Sequence, residues 1–233
     1  MKSIAIIPAR GGSKRLPRKN IIDFRGKPII HWTIRAAFET GMFSRIVVST
    51  EDDEIARVAL YSGAEVDKRS HSLARDNSTV DQVCLDLLDK ELEAGRQYDL
   101  ICCLYATAPL RSAEDIINTM HLVTSNECEH AMAVTNYNHP AFQAMFADKN
   151  YELKPLCPDL INKRSSDLEE IVVDNGSTYV STVSSFRRAG GFVMKNIRGY
   201  KMPRTRSVDI DYEDDLKTAL HYAESLKIGE GKL

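Results

Sequence analysis

Ile4-Ala5-Ile6-Ile7-Pro8-Ala9-Arg10-Gly11-Gly12-Ser13-Lys14-Arg15-Leu16-Pro17-Arg18-Lys19-Asn20 is the stretch on which the reading of this chain turns. The apolar run before Pro8 has the length of one buried strand. The loop behind it holds two adjacent glycines, a serine and five cations, with no acidic residue. Such a loop can wrap an anion. Gly11 and Gly12 are expected to take positive φ and turn their N–H groups inward, Ser13 adds a hydroxyl, and the Arg and Lys side chains supply charge. Neither Gly-x-x-x-x-Gly-Lys-Ser/Thr nor Gly-x-Gly-x-x-Gly stands near the first strand, which excludes both the P-loop and the dinucleotide fingerprint. A solvated basic loop after an edge strand is the alternative, but it needs neither paired glycines nor a strand end to sit on.

Outward from this loop the periodicity alternates. Pro28 to Phe38 recurs apolar at helical spacing until Gly41, and Arg45 to Thr50 is a short β-branched strand. Asp52-Asp53-Glu54 opens a helix to about Tyr61, and Ala64-Glu65-Val66 is a brief strand. Ser78 and Thr79 precede a helical segment from Val83 to Leu92. Leu100-Ile101-Cys102-Cys103-Leu104 is wholly apolar, the mark of a central strand covered on both faces. Ser112 with Glu114-Asp115 opens a helix to about Thr124, and Ala131 to Thr135 returns as a strand. The order predicts an α/β fold: three layers around a mostly parallel sheet with right-handed crossovers and Rossmann-like nucleotide-binding architecture. Between Asn136 and Asp174 the alternation stops at Asn138-His139-Pro140, Pro155 and Pro158. Residues 136–174 are therefore read as an inserted excursion, a lid or a dimerisation subdomain, within a single domain of residues 1–233. The sheet pattern resumes at Ser177-Thr178-Tyr179-Val180, and a final helix runs from about Tyr212 to Leu226.

A chain of 233 residues with 43% hydrophobic and 27% charged residues suits one soluble domain. Lys plus Arg number 31 against 33 Asp plus Glu, so the basic charge is local and no whole-surface field invites nucleic acid or an anionic membrane. No apolar run reaches the length of a membrane span, and the expected location is the cytoplasm. The five cysteines lack metal spacing and read as reduced thiols.

Asp209-Ile210-Asp211 heads the densest carboxylate cluster. In an extended segment Asp209 and Asp211 point the same way, and two hard oxygen donors meeting a triphosphate suit Mg²⁺. Glu213, Asp214 and Asp215 are explained as charges at a helix N-terminus, a reading that could extend to the first two.

Ala9-Arg10-Gly11-Gly12-Ser13-Lys14 with Pro17, Lys19 and Asn20 resembles the opening signature of the cytidylyltransferases that activate nine-carbon acidic sugars, the CMP-sialic acid synthetases and their pseudaminic and legionaminic acid relatives. Ser207-Val208-Asp209-Ile210-Asp211 is similar to that family's metal-binding signature, Asn162 to Leu168 to its arginine-containing catalytic segment, and Asp174-Asn175-Gly176-Ser177-Thr178-Tyr179 to its Asn-Gly-Ser-x-Tyr strand. The resemblance implies transfer of CMP from CTP to a nonulosonic acid, with release of pyrophosphate, by a homodimer. It implies nucleotide binding by Ala9, Arg10, Gly11, Gly12, Ser13, Lys14, Asn20, Arg69 and Ser78, the last three at the base. It further implies sugar contacts by Tyr105, Thr107 and Asn175, catalytic roles for Arg10, Lys19 and Arg164, and Mg²⁺ on Asp209 and Asp211. Tyr105 stands where sialic acid synthetases carry glutamine, Glu51 where the family usually has aspartate, and Ser165 where the animal enzymes have a second arginine. Tyr105, Cys102-Cys103 and Arg164 to Leu168 resemble the pseudaminic acid branch. A cytidylyltransferase for Kdo or a polyol phosphate, and a catalytically silent nucleotide-binding protein, are the alternatives.

Overall fold

The computed structural model describes residues 1–75, 77–137 and 139–229, with Ser165 by its backbone; Asn138 of the excursion and residues 230–233 of the expected domain lie outside them. In chain order the elements are β1 (Ser3–Pro8), β2 (Asp23–Phe24), β3 (Lys27–Pro28), α1 (Ile29–Glu39), β4 (Arg45–Thr50), α2 (Asp53–Tyr61), β5 (Glu65–Lys68) and α3 (Val80–Glu93). They continue with β6 (Leu100–Leu104), α4 (Ala113–Thr124), β7 (His130–Asn136), β8 (Met145–Ala147), β9 (Leu153–Pro155), β10 (Val172–Thr182), α5 (Val183–Ala189), β11 (Arg198–Lys201) and α6 (Glu213–Ser225).

Seven strands form one sheet in the order β11-β7-β10-β6-β1-β4-β5, with β10 the one strand antiparallel to its neighbours. The expected central strand, β6, is indeed fourth of seven. The inner strands read as unbroken apolar runs because helices cover both faces. Ala5 and Ile7 of β1 pack with Ile30, Ile34, Ile55, Ile116 and Met120 of α1, α2 and α4. Ile4 and Ile6 point the other way, onto Cys84, Leu87, Leu88 and Phe186 of α3 and α5. Cys102 and Cys103 are buried on opposite faces, and burial pushes both thiols up, so neither is a nucleophile. A third apolar cluster docks α6, through Ala219 and Ala223, against Trp32, Phe24, Leu110 and Ile210.

From β1 the chain steps to β4 and β5 on one side and later returns to β6 on the other. The topological switch point therefore lies between β1 and β6, where a crevice opens beyond the carboxyl ends of the strands. The loops after Pro8 and Leu104 line it.

After β7 the chain leaves the sheet. Residues 137–171 hold a two-stranded ribbon, β8 against β9, whose Met145, Phe146 and Leu153 are exposed. Strand β10 begins at Val172, five positions before the expected Ser177, and the sequence hid this start because the strand is kinked. Its register against β7 shifts between Asp174 and Tyr179, with Gly176 in the left-handed region at φ 61°.

Candidate active site

The loop after β1 is built from outside itself. The Gly11 N–H donates to Glu51 Oε1 at 2.8 Å, and the Arg18 guanidinium donates to Asp52 at 2.6 and 3.2 Å. Asn20 is buried and gives its amide N–H to the Arg10 carbonyl at 2.8 Å, closing the loop on itself. The glycines differ from expectation here. Neither Gly11 nor Gly12 has positive φ; Gly11 is required by close approach, since a Cβ there would sit 2.5 Å from Asp52 Oδ2, whereas Gly12 faces open space. The left-handed position of the loop is Arg18, at φ 57°.

A cleft of about 530 Å³ lies over the switch point. Arg10, Ser13, Lys14, Lys19 and Asn20 line it from the β1 loop, Arg69 and Ser78 from beyond β5, Tyr105 and Thr107 from the loop after β6, and Asp211 from the segment before α6. Ten of the expected site residues thus meet in one cavity. Ala9 is fully buried behind them, its N–H held by the Ser49 carbonyl at 3.0 Å, and Gly11 and Gly12 do not reach the lining. The Ser78 hydroxyl donates to the Ser72 carbonyl at 2.9 Å. Arg164 is exposed in the excursion and lines neither this cleft nor the hollow beside it.

That adjoining hollow, about 410 Å³, is lined by Asn175, Gly176, Ser207 and Asp209. Thr107 joins the two spaces: it lines the cleft and donates its hydroxyl to Asp209 Oδ1 at 2.5 Å, while its carbonyl takes the Ile210 N–H at 3.0 Å. Asn175 is buried with its amide N–H on Ser207 Oγ at 3.1 Å, and its carbonyl oxygen has no partner.

The two aspartates are electrostatically unlike. Burial pushes the Asp209 carboxyl up to about 6, and the nearby charges of Asp211 and Asp215 push the same way, against the Thr107 hydroxyl and Lys19. Asp211 is held below the usual carboxylate range, because Lys19 Nζ at 2.5 Å and Arg15 at 2.5 Å outweigh its burial. The donor set suits a hard divalent cation. Asp209 is an ionisable carboxylate that burial disfavours and a cation would favour, with Asp211 two residues away. Among the described residues no group of three or more His, Cys, Asp or Glu could hold a metal, so a cation here would draw its remaining ligands from water and a bound phosphate chain.

Sequence reasoning missed several contributors. Arg15 grips Asp211 and lies 4.9 Å over the Tyr212 ring; its place among the loop cations was the available signal. Arg111, 3% exposed, donates to the Ser177 carbonyl at 2.7 Å and weakly to that of Tyr105, so that burial pushes it down to about 10. A lone arginine after Pro109-Leu110 carries no such message in the sequence. Asp115, fully buried, takes a two-pronged bond from Arg206 at 2.9 and 2.7 Å and thereby anchors the segment leading to Asp209.

A cationic cleft at the switch point of a mostly parallel sheet, with Asp211 in its lining and Asp209 in the adjoining hollow, is the arrangement of a nucleotidyltransferase. The family described as Cytidylyltransferase matches residues 4–232, and the chain belongs to that family. It is 34% identical over 220 residues to the pseudaminic acid cytidylyltransferase of Campylobacter jejuni subsp. jejuni serotype O:2, covering 94% of this chain and 95% of that one. It is 33% identical over 218 residues to the N-acylneuraminate cytidylyltransferase of Streptococcus agalactiae serotype III, covering 92% of this chain and 52% of that one. Among solved structures, a CMP:2-keto-3-deoxy-manno-octonic acid synthetase complexed with CTP superposes with a TM-score of 0.72 at 15% identity, covering 97% of this chain and all of that one, a likeness of fold alone.

Proposed function

We propose that the protein transfers CMP from CTP to a nine-carbon 2-keto sugar acid, of the pseudaminic, legionaminic or sialic acid class, and releases pyrophosphate. The observation that carries this reading is the single cleft in which the β1-loop cations, Arg69 and Asp211 face one another. In that cleft Arg10, Ser13, Lys14 and Lys19 would hold the triphosphate, and Asn20, Arg69 and Ser78 would read the base. Tyr105 and Thr107, with Asn175 in the neighbouring hollow, would hold the sugar. The anomeric hydroxyl oxygen attacks the α-phosphorus and gives up its proton to water, a phosphorus–oxygen bond forms, and the bond to the β-phosphate breaks with its electrons going to pyrophosphate. Positioning and electrostatic stabilisation supply most of the rate, since such transfers leave the protein little covalent work. Mg²⁺ bound at Asp209 and Asp211 would offset charge on the phosphates. Lys19 and Arg15 both pair with Asp211 at 2.5 Å, which ties the β1 loop to the segment before α6. Arg164 would join from the excursion, which would act as a lid or as the contact of a homodimer. The exposed apolar side chains of the β8–β9 ribbon support the dimer. The enzyme would work in the cytoplasm; among the described residues no helix is long and apolar enough to cross a membrane.

Among these sugar acids, pseudaminic and legionaminic acids are the substrates proposed. The Tyr105 ring packs 5.1 Å from that of Tyr179, whose hydroxyl donates to Asp174 at 2.8 Å, and this fixed aromatic face favours a sugar with a methyl and acylamino groups. Incubation of the protein with CTP, Mg²⁺ and pseudaminic acid, followed by ³¹P NMR, tests the reading. A new phosphodiester resonance together with pyrophosphate is expected. CTP left intact with pseudaminic, legionaminic and N-acetylneuraminic acids alike would overturn it.

A further inference from the structure

Glu51 belongs to none of the assigned groups and lines no part of the cleft, yet two of the cleft's components converge on it. Its Oε1 accepts the Gly11 N–H at 2.8 Å, and its Oε2 accepts Nε and a terminal nitrogen of Arg69 at 3.2 and 3.1 Å. Both side chains are withdrawn from water, 12% exposed for Glu51 and 4% for Arg69. The backbone holds the same junction, since the Arg69 N–H donates to the Thr50 carbonyl at 3.2 Å, one residue before Glu51. Asp52, the next residue, takes Arg18 at the far end of the β1 loop and packs under Gly11. The acidic pair after β4 thus grips the basic loop at two points.

Resting on the reading of the cleft as a CTP site, we propose that Glu51 is a positioning residue that joins the phosphate-binding loop and Arg69 into one unit. A carboxylate can do this because both of its oxygens accept. An amide offers one acceptor and turns an N–H₂ toward either Gly11 N–H or the Arg69 guanidinium, where donor meets donor. An aspartate at this position is one methylene shorter. The guanidinium, held on Nε and one terminal nitrogen, keeps a fixed plane across the cleft wall. The loop stays in register with it. Anything that shifts the loop therefore shifts Arg69, and the nucleotide's phosphate and base ends are sensed together.

The test is a double-mutant cycle on CTP binding, read by titration calorimetry with wild type, Glu51→Gln, Arg69→Ala and the double variant. Loss of a buried charge-assisted contact predicts that each single substitution weakens CTP about 10- to 100-fold. The double variant should be no weaker than about the worse single one, because both remove the same unit. Tripolyphosphate, which lacks the base, should lose affinity for Glu51→Gln and keep it for Arg69→Ala. In turnover, Glu51→Gln should raise the KM for CTP while leaving the KM for the sugar acid unchanged, a split that a general loosening of the fold would not produce. If Glu51→Gln does not fold, Arg69→Lys, which keeps the charge but loses the fork, should likewise raise the KM for CTP and leave the KM for the sugar acid unchanged, with tripolyphosphate affinity kept as in Arg69→Ala. Multiplicative losses in the double variant, or wild-type affinity in Glu51→Gln, would overturn the proposal while leaving the CTP site standing. A wild-type protein that fails to bind CTP would overturn the site assignment itself.

Discussion

Replacing Asp209 by asparagine should make the ligand-free protein more stable while removing its activity. Burial raises the Asp209 carboxyl from the usual 3.8 to about 6, so at neutral pH the folded chain holds an anion its surroundings disfavour. At about 1.4 kcal/mol per tenfold, that rise corresponds to about 3 kcal/mol of destabilisation as an upper bound. Local relaxation and solvent reduce it to about 1–2 kcal/mol. The sign follows from the direction: the penalty is absent below about pH 4, grows as pH rises toward 6, and is complete above it. Asparagine keeps the shape and can still accept the Thr107 hydroxyl that now lies 2.5 Å from Oδ1. For a chain of this length Asp209→Asn should therefore raise Tm by about 2–8 °C at pH 8. The difference should shrink toward zero at pH 4. Differential scanning calorimetry of both proteins in EDTA across this range measures it. A variant less stable than wild type at pH 8, or a gap that does not depend on pH, would refute the electrostatic account of this residue.

Asp211→Asn should nearly abolish turnover in a folded protein, whereas Asp214→Asn, on a fully exposed side chain paired with Lys217, should change it less than about threefold; initial rates at saturating CTP separate the two. Acid should destabilise the fold through Asp52 and Glu91, each held at about 2, Asp52 first by Arg18 and Glu91 first by Arg96. Their contribution is complete above about pH 4.5 and is lost as pH falls toward 2, and thermal melts of wild type and Glu91→Gln should converge there. Tyr105→Gln should narrow the preference for a bacterial dideoxy-diamino sugar over N-acetylneuraminic acid, itself about 10- to 200-fold in kcat/KM, as read from competition between the two acids.

The first strand and its loop were legible because a near-continuous apolar run ending in glycine and cations has few structural readings. The helix starts at Asp52, Thr79 and Ser112 were legible because each is a real cap, with backbone N–H groups bonded to the side chain. What stayed hidden depends on long-range register. Strand β10 inserts antiparallel between β6 and β7, and nothing local distinguishes an inserted strand from an edge. Its first three residues, Val172 to Asp174, fell in the stretch read as the excursion, and the register shift that begins at Asp174 interrupts the alternation that would have joined them to the strand. Strands β2, β3 and β11 and helix α5 are too short to leave a periodic trace. In the site, residue types were readable but partnerships were not. Composition shows that the loop is basic, yet only the fold reveals that Glu51 and Asp52, some 40 positions away, hold it by way of Gly11 and Arg18.

Pyrophosphate release from CTP, followed continuously with pseudaminic, legionaminic and N-acetylneuraminic acids in turn and with Mg²⁺ present, tests the central claim most directly. Release should depend on the sugar acid, stop when EDTA is added, and be fastest with one of the two bacterial acids. Equal or faster turnover of N-acetylneuraminic acid would contradict the role given to Tyr105, and no acid-dependent pyrophosphate from any of the three would contradict the assignment of this cleft as a nonulosonic acid cytidylyltransferase site.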